Sequence, residues 1–270
     1  MTTDADIKDY SIVTETPDTL SSEEQLSRFY TRYRFASEYC EGKDVLEVAC
    51  GAGQGLGYLA RKARRVAGGD IDEKNLSFAR QQYAGRANIE ILKLDAHNLP
   101  FEDNTFDVVI IFEAIYYLDD PEKFLAESRR VLRKDGTIII GSANREWHGF
   151  NPSVYSKKYY SASELIGMLS KDNMFINRQV YVDCPVEEKS IKDKFISLTK
   201  IIAIKLKLIP KTMKGKELFK RIFMGRVKPL PREISDDMIP AGAYRAPVIF
   251  DPSAKCNGFK VIFAVGRVNK

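Results

Sequence analysis

Apolar residues in this chain fall into short runs separated by glycine-rich or charged breaks. The first block is helical. Leu26, Phe29, Tyr30, Tyr33 and Ala36 share one side of a helix predicted to start at a Ser21–Glu24 capping box, run to about Cys40 and end at Gly42. From Val45 onward, strand-like runs alternate with helical patterns. Strands are predicted at 45–49, 66–67, 89–94, 106–112 and 137–141. Helices are predicted from Leu56, over 73–84 and over 121–132, the last with proline in its first turn. Arg133 to Gly136 reads as a turn. Beyond 141 the pattern loosens. A helix is predicted over 161–170, a strand around 176–182, an irregular proline-bearing stretch over 229–257 and a last strand over 259–268.

Strands that are apolar on both faces and alternate with helices imply a parallel sheet covered by helices. The expected fold is α/β: a doubly wound, mostly parallel, seven-stranded Rossmann-like sheet with a helical insertion before the last strand. Residues 1–20 read as a flexible N-terminal arm or lid, 21–182 as the ligand-binding core, 183–257 as a basic, partly helical substrate-side insertion, and 258–270 as the last core strand. In such sheets ligands bind at the carboxyl ends of the strands.

Composition changes this picture in one place. The net charge is +5, yet residues 190–228 hold 12 Lys/Arg against Asp193 and Glu217, so the basic character is local. Within that segment Phe195, Leu198, Ile202, Leu206 and Ile209 form one helical stripe, and Leu218, Phe219, Ile222 and Phe223 a second. Amphipathic helices over the acceptor site, or contact with anionic lipid, fit this pattern. Cys40, Cys50, Cys184 and Cys256 are far apart and form no metal or disulfide pattern. No signal-like or transmembrane run is present, so a cytoplasmic, at most membrane-peripheral, protein is expected.

The chemistry gathers around Val45 to Gly57, an apolar run carrying Glu47 and followed by Gly51, Gly53, Gly55 and Gly57. Glycines allow positive φ and a close ligand approach, and the following helix start offers free N–H groups. A dinucleotide turn would need glycine where Leu56 stands, so that class is excluded. Asp70 ends the second strand and can accept both ribose hydroxyls of an adenosine. Asp72 competes for that role but suits a helix cap.

The run Glu47-x-Ala49-x-Gly51-x-Gly53 resembles the first motif of class I S-adenosylmethionine (SAM) methyltransferases, with alanine where the family usually has glycine. Asn104 to Val109, Phe112-Glu113, Arg130 to Leu132 and Asp135-Gly136 extend the resemblance over about residues 26–145. Arg32-Tyr33-x-Phe35-Ala36 is similar to bacterial glycan-associated methyltransferases, although Tyr116-Tyr117 stands where those carry Glu-His. The resemblance implies an enzyme with SAM as cofactor and no metal. It implies that Asp70 and Ile71 meet the ribose, Asp95 and Ala96 the adenine, Tyr33 or Arg32 the donor carboxylate, and the Phe112 carbonyl its ammonium. Candidate bases are His148, Tyr117 and Glu146. Asn151-Pro152-Ser153-Val154-Tyr155 superficially matches an amine-methylating motif, but it follows the wrong strand and is discounted. The expected reaction is methyl transfer to an O or N site of a small molecule, a sugar or lipid-linked acceptor. The rival readings are an RNA methyltransferase using the basic insertion and a non-catalytic SAM-binding protein. Nucleic acid is not the expected partner.

Overall fold

A computed structural model describes residues 14–183, 227–240 and 244–270. The elements in chain order are β1 (Leu20–Ser22), α1 (Glu23–Ser37), β2 (Asp44–Val48), α2 (Leu56–Ala60), β3 (Arg65–Asp70), α3 (Glu73–Gln82), β4 (Ile89–Lys93) and β5 (Phe106–Phe112). They continue with α4 (Pro121–Val131), β6 (Leu132–Ala143), α5 (Ala162–Ser170), β7 (Phe175–Val182), β8 (Val227–Pro229), β9 (Val248–Phe250) and β10 (Val261–Val268). The basic segment falls outside the described residues except Val227 and Lys228.

Eight strands form the main sheet, in the order β4-β3-β2-β5-β6-β10-β7-β9. Strands β2 to β6 pair in parallel, and β10 runs antiparallel to both β6 and β7. The α/β Rossmann-like expectation therefore holds. The eighth strand is β9, three residues long at the edge, within a stretch expected to be irregular. Two apolar layers cover the faces. Val109 and Ile111 of β5 enter one, while Val108, Ile110 and Phe112 enter the other. Successive side chains on a strand point to opposite faces, which is why this strand is apolar from Val108 to Phe112.

Two local expectations change. The first is the cap of α1, which is Ser22 rather than Ser21. Its Oγ accepts from Gln25 N at 3.3 Å, and Gln25 Oε1 accepts from Ser22 N at 3.1 Å. Both serines satisfy the motif spacing. The choice is made by β1, whose pairing with β8 reaches Ser22 opposite Val227 and delays the helix by one residue. Second, the turn expected at Arg133 to Gly136 lies inside β6. Pairing with β5 steps from Phe106–Leu132 to Val108–Thr137, and Asp135 takes φ 60°. A bulge absorbs the extra residues there without ending the strand.

A charged cluster fastens the amino ends of the strands. Asp44 is buried and accepts from Arg64 Nε at 2.8 Å and Arg133 NH2 at 2.9 Å, while Asp107 bonds both Asp44 N and Arg133 NH1 at 2.9 Å. Hydrogen bonds from Arg64 and Arg133 hold the Asp44 carboxyl down at about 2 against desolvation. A lowered carboxyl stabilises the fold above its unfolded value near 4, and that contribution is lost as pH falls through about 2. Asp44→Asn is expected to cost about 2 kcal/mol at neutral pH. In denaturant melts the difference should shrink towards pH 2; a pH-independent difference would contradict the assignment.

Candidate cofactor and acceptor site

The carboxyl ends of β2 to β6 open into one cavity of about 470 Å³. Its wall includes Tyr33, Glu47, Ala49, Gly51, Asp70, Ile71, Asp95, Ala96, Phe112 and Tyr117. Each strand end supplies its own part because parallel strands deliver all their carboxyl ends to one edge.

At the end of β2 the chain turns sharply. Ala49, Gly51 and Gly53 have φ of 57°, 57° and 74°. An alanine in that region costs roughly 1 kcal/mol, which is the physical reason a glycine is preferred there. Gly53 does not line the cavity. A side chain on it would come within 2.6 Å of Ala79 Cβ, so its part is to let the turn sit against α3. Glu47, just inside the turn, is 1% exposed. Its Oε1 accepts from the Tyr33 hydroxyl at 2.7 Å, and its buried Oε2 has no partner among the described residues. Burial pushes the Glu47 carboxyl up to about 8, against the Tyr33 bond and the Arg32 charge. The Tyr33 ring meets Phe112 edge-on at 5.3 Å.

At the end of β3, Asp70 Oδ2 accepts from Gly51 N and Oδ1 from Asp72 N, both at 2.9 Å. Asp70 therefore ties the glycine turn to the next strand. Asp72 caps α3, accepting from Lys74 N at 2.8 Å. The two aspartates divide the strand-end and cap roles as expected. Ile71 is 53% exposed on the cavity wall. At the end of β4, Asp95 Oδ1 lies 2.7 Å from His97 Nδ1. His97 Nε2 accepts from Asp120 N at 3.2 Å, so the ring hydrogen sits on Nδ1 and points at Asp95. His97 fastens the Asp95 loop to the start of α4.

The three candidate bases are dispersed. His148 is not on the cavity wall; its Nδ1 and its backbone N both meet Asn257 O, at 3.1 and 3.2 Å. Glu146 accepts from Cys256 N at 3.2 Å. Both follow β6 in a segment that buried Asn144 pins to Phe259 O. Tyr117 does line the cavity, and burial raises its phenol to about 12, so it enters as a neutral hydroxyl. Glu113, read in the sequence only as part of the Phe112-Glu113 motif, is also on the wall, and sequence reasoning missed Arg28 and Lys260 among the other wall residues. Arg28 lies one helical turn before Arg32 on the face carrying Phe29 and Tyr33, so helical spacing could have found it. Lys260 precedes β10, far along the chain, and left no local signal.

Residues 46–140 match the methyltransferase domain family. A Mycolicibacterium smegmatis protein described as a probable SAM-dependent methyltransferase is 37% identical over 113 residues, 42% of this chain and 43% of that one. The fatty-acid O-methyltransferase of the same organism is 36% identical over 129 residues, 46% of this chain and 47% of that one. The chain thus spans about half the length of these relatives. Among solved structures, the YcgJ protein of Bacillus subtilis superposes with a TM-score of 0.55 at 17% identity, covering 90% of this chain and 99% of that one, a likeness of fold. The site fits the family's cofactor. A turn built on positive φ leaves room for a close approach, and the unpartnered Glu47 Oε2 suits a cationic group. Residues 46–140 thus carry a domain similar to the methyltransferase domain family, set on a sheet of the same α/β kind.

Proposed function

We propose that the protein transfers a methyl group from SAM to an O or N site of a small molecule. The observation that carries this is the convergence of Glu47, Gly51, Asp70, Asp95 and Phe112, from four successive strand ends, on one cavity. The bound donor supplies a methyl group already activated on a sulfonium, so positioning can provide most of the acceleration. In this reading Asp70 and Ile71 hold the ribose, Asp95 and Ala96 the adenine, and Glu47 and Phe112 the ammonium. Arg32 and Tyr33 face the donor carboxylate. Residues 14–20 act as part of a lid: Thr14 Oγ1 accepts from Asn75 Nδ2 at 3.0 Å and Glu15 pairs with Arg32 at 2.9 Å beside the glycine turn.

The acceptor end carries Phe29, Phe112, Tyr116 and Tyr117, which suits a molecule with an apolar part. Together with the fatty-acid O-methyltransferase relative, this favours a lipid-linked acceptor over a sugar-like one. SAM should bind with 1:1 stoichiometry in calorimetry, and labelled methyl should pass to at least one member of an apolar acceptor panel. No SAM binding at about 100-fold excess would refute the function.

Peripheral membrane contact through 190–228 is part of this reading, on its local charge. Among the described residues no helix is long and apolar enough to cross a membrane. Flotation with phosphatidylglycerol vesicles should weaken steeply with salt and disappear when 190–226 is replaced by a neutral linker. Equal flotation of the two proteins would contradict it.

A further inference from the structure

Glu113 is a carboxylate on the cavity wall with no part in the proposed donor site. Glu113 follows β5 directly and takes φ 53°, a left-handed conformation retained by a non-glycine residue. Such a conformation costs on the order of 1 kcal/mol and persists where the surroundings enforce it. Its backbone N donates to Gly141 O at 2.8 Å, and its Oε2 accepts from the Tyr116 hydroxyl at 2.9 Å. Among the described residues, no donor bonds its Oε1.

Of the other acids on that wall, Glu47 has a buried Oε2 with no partner among the described residues, which the proposed donor ammonium would meet, and the rest are engaged. Glu15 holds Arg32, Asp70 holds the glycine turn, Asp95 holds His97, and Asp119 pairs with Lys157 at 2.6 Å. Arg32 is the cation nearest in role to Glu113, but its ion pair is with Glu15. Glu113 is therefore not needed to neutralise it. Glu113 is faced by Arg28 and Arg32 from α1, Glu15 from the N-terminal segment, its neighbours Tyr116 and Tyr117, and Tyr159. Among these only Glu15 is a second carboxylate, and the tyrosines are all held as neutral phenols by burial.

We propose that Glu113 is the general base of the reaction and that the acceptor nucleophile is a hydroxyl, not a carboxylate. The inference rests on the methyltransferase reading above. Glu113 Oε1 takes the hydroxyl proton while the oxygen forms its bond to the methyl carbon. The carbon–sulfur bond breaks with its electron pair staying on sulfur, and Glu113 later returns the proton to water. A carboxylate acceptor would bring no proton and would place a second negative charge beside Glu113. Burial raises the Glu113 carboxyl above its ordinary value, partly offset by Arg32 and Tyr116, which brings a base towards neutral working pH.

The test uses the full chain and three readouts. Calorimetry should give SAM affinities for wild type and Glu113→Gln within about threefold. Failure of the wild type to bind SAM would refute the methyltransferase reading instead. With labelled SAM, 4-dodecylphenol should be methylated and dodecanoate should not. Glu113→Gln should lower kcat on the order of 100-fold, remove the acidic limb of its pH profile, and be partly rescued by Glu113→Asp. Methylation of dodecanoate alone, or an unchanged limb in Glu113→Gln, overturns the proposal. Should neither probe react, the carboxyl carbon resonance of Glu113, assigned by difference in the S-adenosylhomocysteine complex, decides. Ionisation by about pH 8 is expected, and a carboxyl still protonated at about pH 9 overturns it.

Discussion

Asp70→Ala should weaken SAM binding by two to three orders of magnitude. In the proposed complex the carboxylate accepts both ribose hydroxyls. Hydrogen bonds to a charged group contribute about 1.5–3 kcal/mol each, and every 1.4 kcal/mol is tenfold in affinity. A second loss adds to the first. Asp70 also accepts from Gly51 N and Asp72 N, so alanine leaves two N–H groups unpartnered and releases the glycine turn. The two effects separate in Asp70→Asn. Asparagine keeps the shape and one acceptor oxygen but leaves one N–H facing its NH2, so the fold should lose less in a thermal melt than in Asp70→Ala while SAM affinity still falls more than tenfold. Unchanged SAM affinity in a well-folded Asp70→Asn protein would leave Asp70 as a turn anchor only.

Glu47 should make SAM binding release a proton. In the free protein its carboxyl stands at about 8, raised by burial. A carboxyl raised above its unfolded value stabilises the free fold below about 4.5, and that contribution is lost as pH rises through about 8. A cationic ammonium beside Oε2 favours the ionised form, so the bound state holds a lower value. Affinity should therefore rise roughly tenfold per pH unit between about 5.5 and 7.5, below the range where an α-amino group itself titrates. Calorimetry in buffers of different ionisation enthalpy should count close to one proton released at pH 6.5. Glu47→Gln should bind more weakly at pH 7.5 and lose the slope. A wild-type slope of zero would show that Glu47 is already ionised, or that it does not meet the ammonium.

The pattern of apolar runs located most of the sheet. Strand β5 falls where the run Phe106–Phe112 places it, because from Val108 on it is apolar on both faces and has no polar register to misread. Lys134-Asp135-Gly136 shows how the same logic fails. These are turn residues, yet pairing with β5 continues around them through a bulge. In the same way, two serines fit one capping motif, and only the pairing of β1 with β8 selects Ser22. Neither outcome is encoded within a few residues.

The candidate site divides along the same line. Glu47, Ala49, Gly51, Asp70, Asp95 and Phe112 were legible because each stands at the end of its own strand, and a parallel sheet carries those ends to one edge whatever lies between. The sequence by itself determined the alternation of strands and helices, the glycine turn and hence the side of the cavity proposed for the donor, all products of local periodicity and backbone freedom. Only the tertiary structure decided the side proposed for the acceptor. It turned His148 onto Asn257, brought Lys260 to the wall from the far end of the chain, and left one oxygen of Glu113 with no donor among the described residues. Those facts depend on which groups compete for each hydrogen bond after packing, and that competition is settled between residues distant in the chain.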